Sequence, residues 1–157
     1  MTDTLPKILT VELFSFSYKR PLPPTLFSHE EGRHGGGFVF DCRCLPNPGR
    51  EERYKTQTGR DQEVIEYLAS IPEVHKFREH TFELVTDAVQ NYLSREFEFL
   101  TVGYGCTGGQ HRSVFFAEQL SCHLERSFAP RVLVRVVHAN LGGAAVGSSA
   151  RSCSRSV

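Results

Sequence analysis

Residues 105–113 contain the side chains and glycines that could bind an anion. The segment reads Gly-Cys-Thr-Gly-Gly-Gln-His-Arg-Ser and joins an apolar, strand-like stretch to a helix-like one. A helix N-terminus that follows a strand presents unpaired N–H groups and the positive end of the helix dipole. Gly108 and Gly109 let the amides of about 107–112 turn towards one centre, Thr107 and Ser113 add hydroxyls, and Arg112 adds a bidentate fork. We therefore predict a phosphate-binding loop.

The same loop has the spacing of a catalytic motif. Cys106 to Ser113 reads C-x-x-G-x-x-R-S, the signature of cysteine-dependent phosphatases. In that chemistry a thiolate attacks phosphorus, amides and an arginine stabilise the transition state, and an aspartate protonates the leaving oxygen. Cys106 and Arg112 would be nucleophile and stabiliser, with Asp41 or Asp61 as the acid. A cysteine that merely packs beneath the loop is the alternative, so whether the protein is an enzyme stays open.

The flanking segments predict the elements that position this loop. Apolar residues alternate in the strand-like stretches, and they recur at helical spacing after 73 and after 112. Asp61 is expected to cap one helix, and Ser70 to open a capping box for the next. We predict a single three-layer α/β domain with a mostly parallel sheet over 1–141 and a disordered tail over 142–157. The predicted strands cover 8–16, 38–41, 97–104 and 132–137, and the predicted helices cover 61–69, 72–94 and 112–127.

Composition narrows the classes of function. Eighteen basic and 18 acidic residues give zero formal net charge, which argues against binding nucleic acid through bulk charge. The N-terminus shows no basic segment followed by an apolar one, and no apolar run approaches ~18 residues, so we expect a soluble cytoplasmic protein without a membrane partner. Cys42 and Cys44 have a zinc-like spacing, but no second pair completes the site, and neither a metal nor a cofactor is predicted.

Six segments occur along the chain in one order: 15–19, 40–48, 58–61, 73–77, 105–114 and 117–120. Together they resemble the C-terminal domain of RapZ, the bacterial RNase adapter family. The resemblance covers roughly residues 8–141 without large gaps, and it is more specific than any single motif. Full-length members carry an N-terminal P-loop domain, whereas this chain has no G-x-x-x-x-G-K-[ST], so we expect a free-standing C-terminal domain. A nucleotide-binding label would then be inherited from longer relatives.

The resemblance implies an α/β domain that senses glucosamine-6-phosphate and presents small regulatory RNAs to an endoribonuclease. A carboxylate such as Asp41, at the end of a strand, suits the ammonium group of an aminosugar; its alternative role is to cap the loop that follows. Matched by position, the sugar hydroxyls and amine would meet Asp41, Arg43, Asn47 and His138. The phosphate would meet Cys106, Thr107, Gly108, Gly109, His111, Arg112 and Ser113.

One departure from the family concerns RNA. RapZ proteins have a strongly basic segment after the position of His138, whereas here the final segment holds only Arg151 and Arg155. RNA binding through phosphate contacts is therefore the least favoured reading. The leading hypothesis is a non-enzymatic, regulatory binding module for a phosphorylated small molecule, with a phosphatase and an RNA adapter as alternatives. A partner protein and self-association into a homo-oligomer are left open.

Overall fold

The computed structural model describes residues 6–22 and 36–142. The predicted tail therefore lies outside the described residues except for Gly142, and so does much of the proline- and glycine-rich stretch after β1. None of the helices over the described ranges is both long and apolar enough to cross a membrane. In chain order the elements are β1 (Leu9–Ser17), β2 (Gly37–Asp41), α1 (Gln62–Ala69), α2 (Pro72–Ser94), β3 (Phe99–Cys106), α3 (Arg112–Phe128) and β4 (Val132–His138).

The four strands form one sheet in the order β2-β3-β1-β4, and every neighbouring pair is parallel. All carboxyl ends consequently lie at the same edge, which is where open α/β sheets bind ligands. The register places Ser17 opposite Cys106, and Asp41 opposite Gly105. His138 lies opposite Ser15 on the other side of β1. The residues predicted to bind a ligand are thus gathered at one edge by strand topology.

Tyr104 on β3 shows how the helices cover the sheet. Its hydroxyl donates a hydrogen bond of 3.1 Å to Thr81 of α2, and its ring stacks on Phe116 of α3 at 5.4 Å between centroids. Both helices therefore contact the same face of the sheet. The other face carries a second buried cluster around Phe14 and Phe16. The predicted α/β class is confirmed as a four-strand parallel sheet combined with three helices.

The two predicted helix starts differ from the structure in their side-chain bonds. Asp61 does precede α1, but its carboxylate accepts from the N–H of Thr58 at 2.6 Å and makes no bond to the helix amides. The capping box at Ser70 is wrong. Ser70 still has helical backbone angles and ends α1, so its hydroxyl donates to the Tyr67 carbonyl at 2.7 Å, and Ile71 precedes α2.

Candidate functional site

The loop between β3 and α3 is fastened to the end of β1. The hydroxyl of Ser17 donates to the carbonyl of Thr107 at 2.7 Å, and the N–H of Tyr18 donates to the carbonyl of Cys106 at 3.0 Å. Asn140, just after β4, accepts from the N–H of Ser17 at 2.7 Å. Segments following three neighbouring strands therefore fix the loop, so its backbone amides are preorganised.

Gly108 and Gly109 have different roles in the loop. Gly109 has φ +65°, and a Cβ there would lie 2.8 Å from Oδ1 of Asn140 and 2.9 Å from the backbone nitrogen of Ser17. Only glycine adopts this conformation at little cost. A Cβ at Gly108 would have no atom within 4 Å. The loop is therefore packed against β1 and β4 at Gly109 and open at Gly108.

Arg112 is buried, with only 3% of its surface exposed. One terminal nitrogen, Nη1, donates to the carbonyl of Leu45 at 2.7 Å and to that of Arg43 at 3.3 Å. The other, Nη2, reaches the Thr107 hydroxyl at 3.4 Å, and Nε has no hydrogen-bond partner. Within the part of the chain that the structure describes, no carboxylate forms an ion pair with this guanidinium. A buried charge without an ion-pair partner is costly, and this is the physical basis for the prediction that an anion binds here.

Cys106 lies at the base of the loop, where its Sγ is 3.2 Å from the hydroxyl of Ser113. Burial raises the pKa of the Cys106 thiol. Hydrogen bonds from the side chain and backbone of Ser113, together with the charge of Arg112, lower the pKa by more than burial raises it. The resulting pKa is below the ordinary thiol value. Cys106 therefore has the character of a nucleophile, although it also forms a wall of the loop.

Asp41 and Arg43 form an exposed pair at the rim. Asp41 Oδ1 accepts from the backbone N–H and Nε of Arg43 at 2.9 Å each, and Oδ2 accepts from Nη2 at 2.6 Å. The Arg43 guanidinium also lies over the ring of Tyr18, 4.0 Å from its centroid. Hydrogen bonds from Arg43 hold the pKa of Asp41 below its ordinary value. The carboxylate is therefore ionised near neutral pH, which suits an acceptor better than a general acid.

The side chains of His111 and Asn47 form hydrogen bonds with the 42–60 connection. Nε2 of the buried His111 donates to the carbonyl of Tyr54 at 2.8 Å. Asn47 Oδ1 accepts from the N–H of Gly49 at 3.0 Å, within a 3₁₀ turn at Pro48–Arg50. These bonds fold the 42–60 connection against the start of α3. The backbone amide of His111, rather than its ring, is the group that could face a ligand.

His138 is held in a buried network at the end of β4. Its Nδ1 is 2.7 Å from the hydroxyl of Ser15, and its Nε2 is 2.8 Å from Oε1 of Glu118. Only 5% of the His138 side chain is exposed. Both ring nitrogens are thus engaged within the protein. The network secures the end of β4 to β1 and α3, immediately before the turn that carries Asn140.

Sequence reasoning missed Ser17, Asn140 and Gly59. Ser17 and Asn140 follow the rule that strand ends carry functional groups, but their roles depend on the order β3-β1-β4, which no local pattern encodes. Gly59 donates its N–H to the Gln110 carbonyl at 2.9 Å, and a Cβ there would overlap the carbonyl oxygen of His111 and the nitrogen of Phe115. An isolated Thr-Gly pair was the available signal for this close approach.

The fold and loop define a class: a parallel α/β domain with a glycine-containing loop between a strand and a helix at the carboxyl ends of its strands. The family model of the RapZ C-terminal domain matches residues 9–141. The chain therefore belongs to the RapZ C-terminal domain family, as the sequence resemblance predicted.

Similar curated proteins carry a consistent name. A nucleotide-binding protein of Azoarcus sp. (strain BH72) is 43% identical over 130 residues, which are 83% of this chain and 39% of that protein. A nucleotide-binding protein of Aromatoleum aromaticum is 42% identical over 127 residues, 81% of this chain and 39% of the relative. The chain thus spans about two fifths of the length of these relatives.

Proposed function

We propose that this chain is a non-enzymatic binding module that recognises a phosphorylated small molecule, and that an aminosugar phosphate such as glucosamine-6-phosphate is its ligand. The ligand phosphate would lie against the amides of 107–112, beside Arg112 and the Thr107 hydroxyl. The identity of the sugar rests on the family resemblance, whereas the preference for a phosphate rests on the geometry of the loop.

The observation that carries the proposal is the buried guanidinium of Arg112. Its Nη1 is fully used by backbone carbonyls, its Nε has no hydrogen-bond partner, and none of the ion pairs among the described residues includes it, although its charge acts on the Asp41 carboxylate. A phosphate beside Nε and Nη2 would supply both the missing acceptor and the missing charge. Because the loop is open at Gly108, the remainder of the ligand can extend outwards from the phosphate.

The rim supplies groups for the sugar end. The ionised Asp41 carboxylate can accept from an ammonium group, and Arg43 can donate to hydroxyls. Asp41 ends β2 and Cys106 ends β3, so carboxylate and loop lie at the ends of neighbouring strands. An aminosugar phosphate carries a cationic and an anionic group on one small molecule, and the carboxylate and the loop on neighbouring strands would receive them.

Isothermal titration with glucosamine-6-phosphate, glucose-6-phosphate and glucosamine tests the proposal. We expect glucosamine-6-phosphate to bind best, because glucosamine lacks the phosphate and glucose-6-phosphate lacks the ammonium. Arg112→Gln should lose at least tenfold in affinity for both phosphates, since a charge-assisted hydrogen bond contributes ~1.5–3 kcal/mol. Asp41→Asn should remove only the preference for the aminosugar. Arg50→Gln, an exposed arginine of the same connection, is the matched control. Absence of binding at millimolar ligand would refute the proposal.

A phosphatase is the second candidate, because Cys106 has a lowered pKa beside Arg112 and Ser113. The general acid is the weak part of this phosphatase hypothesis, since hydrogen bonds from Arg43 keep the Asp41 carboxylate ionised. Release of inorganic phosphate from a panel of sugar phosphates and nucleotides, abolished in Cys106→Ser, would establish catalysis. Full turnover in Cys106→Ser, or no turnover by the parent, removes this candidate.

A further inference from the structure

Cys42 and Cys106 are two free, buried cysteines on neighbouring strands, exposed by 0% and 1%. The N–H of Cys42 donates to the carbonyl of Gly105 at 2.7 Å, which extends the β2–β3 pairing one residue beyond Asp41 and Gly105. Cys42 therefore lies beside Cys106, and both belong to the same core cluster. Neighbouring strands are ~4.8 Å apart, within the ~4.4–6.8 Å between Cα atoms that a disulfide spans.

The positive charge of Arg112 acts on both thiols. Its Nη1 lies 3.4 Å from the carbonyl oxygen of Cys42. The Ser113 hydroxyl hydrogen-bonds to Cys106, whereas the Cys42 thiol donates to the carbonyl of Phe40 at 3.9 Å, so the two cysteines are not equivalent. The pKa of Cys106 is lowered, whereas burial and the charge of Cys106 raise the pKa of Cys42 well above the ordinary value. Cys106 is thus the thiol that ionises first.

We propose that Cys106 and Cys42 form an oxidation site that a hydroperoxide converts into a disulfide beneath the phosphate loop. In the first step the Cys106 thiolate attacks the peroxide, an S–O bond forms, the O–O bond breaks, and the leaving oxygen takes a proton to give an alcohol or water. In the second step the Cys42 sulfur attacks Cys106, the S–S bond forms, and the hydroxyl leaves as water with the Cys42 proton. Two thiols are oxidised and one peroxide is reduced.

The electrostatics put these steps in order. While Cys106 is a thiolate, its negative charge opposes ionisation of Cys42. Oxidation of Cys106 to the neutral sulfenic acid removes that negative charge. The positive charge of Arg112, which favours ionisation of Cys42, remains. Cys42 therefore becomes a better nucleophile only after Cys106 has been oxidised. Gly108 is the exposed part of the loop, and the proposal requires that a hydroperoxide as small as hydrogen peroxide reach the buried Cys106 from that side.

The disulfide would also affect the phosphate site. It removes the thiol that bonds to Ser113, and it draws the base of the loop towards the backbone of Cys42, whose carbonyl accepts from Arg112. We therefore expect the oxidised protein to lose affinity for a phosphate ligand. This consequence rests on the proposed function; formation of the disulfide does not.

Peptide mapping of the full chain after hydrogen peroxide treatment tests the proposal. Trypsin cleaves after Arg33, Arg43, Arg50, Arg95 and Arg112, so Cys42, Cys44 and Cys106 fall in three separate peptides. We expect the 34–43 and 96–112 peptides to be joined with the loss of two hydrogen atoms, while Cys44 stays open to alkylation. Cys44→Ser, the matched control, should form the same link. Cys42→Ser should stop at a Cys106 sulfenic acid that dimedone traps.

Two results would overturn the proposal: a link between Cys44 and Cys106, or no oxidation of Cys106 under conditions that oxidise the exposed Cys44. Titration of glucosamine-6-phosphate into reduced, oxidised and dithiothreitol-treated protein separates this proposal from the proposed function. A disulfide without binding in any state refutes the binding function and leaves the oxidation site in place. If the reduced protein binds glucosamine-6-phosphate but no disulfide forms after peroxide treatment, the oxidation site is refuted and the binding function is left in place.

Discussion

Replacing Gly109 by alanine perturbs the phosphate loop where it packs against β1 and β4. The new Cβ would meet Asn140 Oδ1 at 2.8 Å and the backbone nitrogen of Ser17 at 2.9 Å. Asn140 can rotate away, but the backbone of β1 cannot, so the loop itself must move. The φ of +65° adds a conformational cost that any L-residue with a side chain carries.

The size of the effect follows from these two contributions. A non-glycine residue in the left-handed region costs ~1–2 kcal/mol. Rotation of Asn140 breaks its 2.7 Å bond from the N–H of Ser17, which contributes ~0.5–1.5 kcal/mol. We therefore expect Gly109→Ala to lower the free energy of unfolding by about 2–3 kcal/mol. Displaced amides should also weaken binding of glucosamine-6-phosphate by roughly tenfold or more, the loss of one charge-assisted hydrogen bond.

Urea denaturation followed by circular dichroism, together with calorimetric titration of the ligand, measures both effects. Gly108→Ala is the matched control, since its Cβ would meet no atom within 4 Å. Its free energy of unfolding should stay within ~0.5 kcal/mol of the parent or rise slightly, because alanine restricts the unfolded chain. Equal stabilities of the two variants, or a parental stability for Gly109→Ala, would refute the reasoning.

Three further predictions concern the surroundings of the loop. The lowered pKa of Cys106 means that its thiolate forms at a lower pH than that of an ordinary thiol. Because the negative thiolate repels a phosphate, the affinity for a phosphate ligand should fall as the pH rises through that pKa. Cys106→Ser should remove this decline in calorimetric titrations. Tyr104→Phe should cost about 1 kcal/mol in urea denaturation, since it removes one buried hydrogen bond to Thr81, and an unchanged midpoint contradicts this. Gly59→Ala should abolish or strongly reduce cooperative unfolding, since its Cβ would overlap backbone atoms at the start of α3.

The sequence predicts the parts of this domain that depend on local patterns. Alternation and helical spacing locate the strands and helices, and the glycine-containing loop after an apolar strand predicts an anion site, which stays a prediction. Ser70 shows the limit of such patterns, because a residue that fits a capping box still belonged to the preceding helix. The contribution of Asn140 could not be predicted, since it arises only when β4 lies beside β1. The internal bonds of His138 have the same non-local origin.

The central claim is that a phosphate completes the unsatisfied environment of Arg112, and the Nε–H of this residue reports on it directly. In ¹H–¹⁵N spectra optimised for arginine side chains, addition of glucosamine-6-phosphate should shift the Arg112 Nε–H signal and slow its exchange with water. The amides of Gly108 and Gly109 should shift over the same concentration range, while glucosamine alone leaves all three unchanged. If millimolar glucosamine-6-phosphate leaves the Arg112 Nε–H and both glycine amides unperturbed, the phosphate does not bind at this loop.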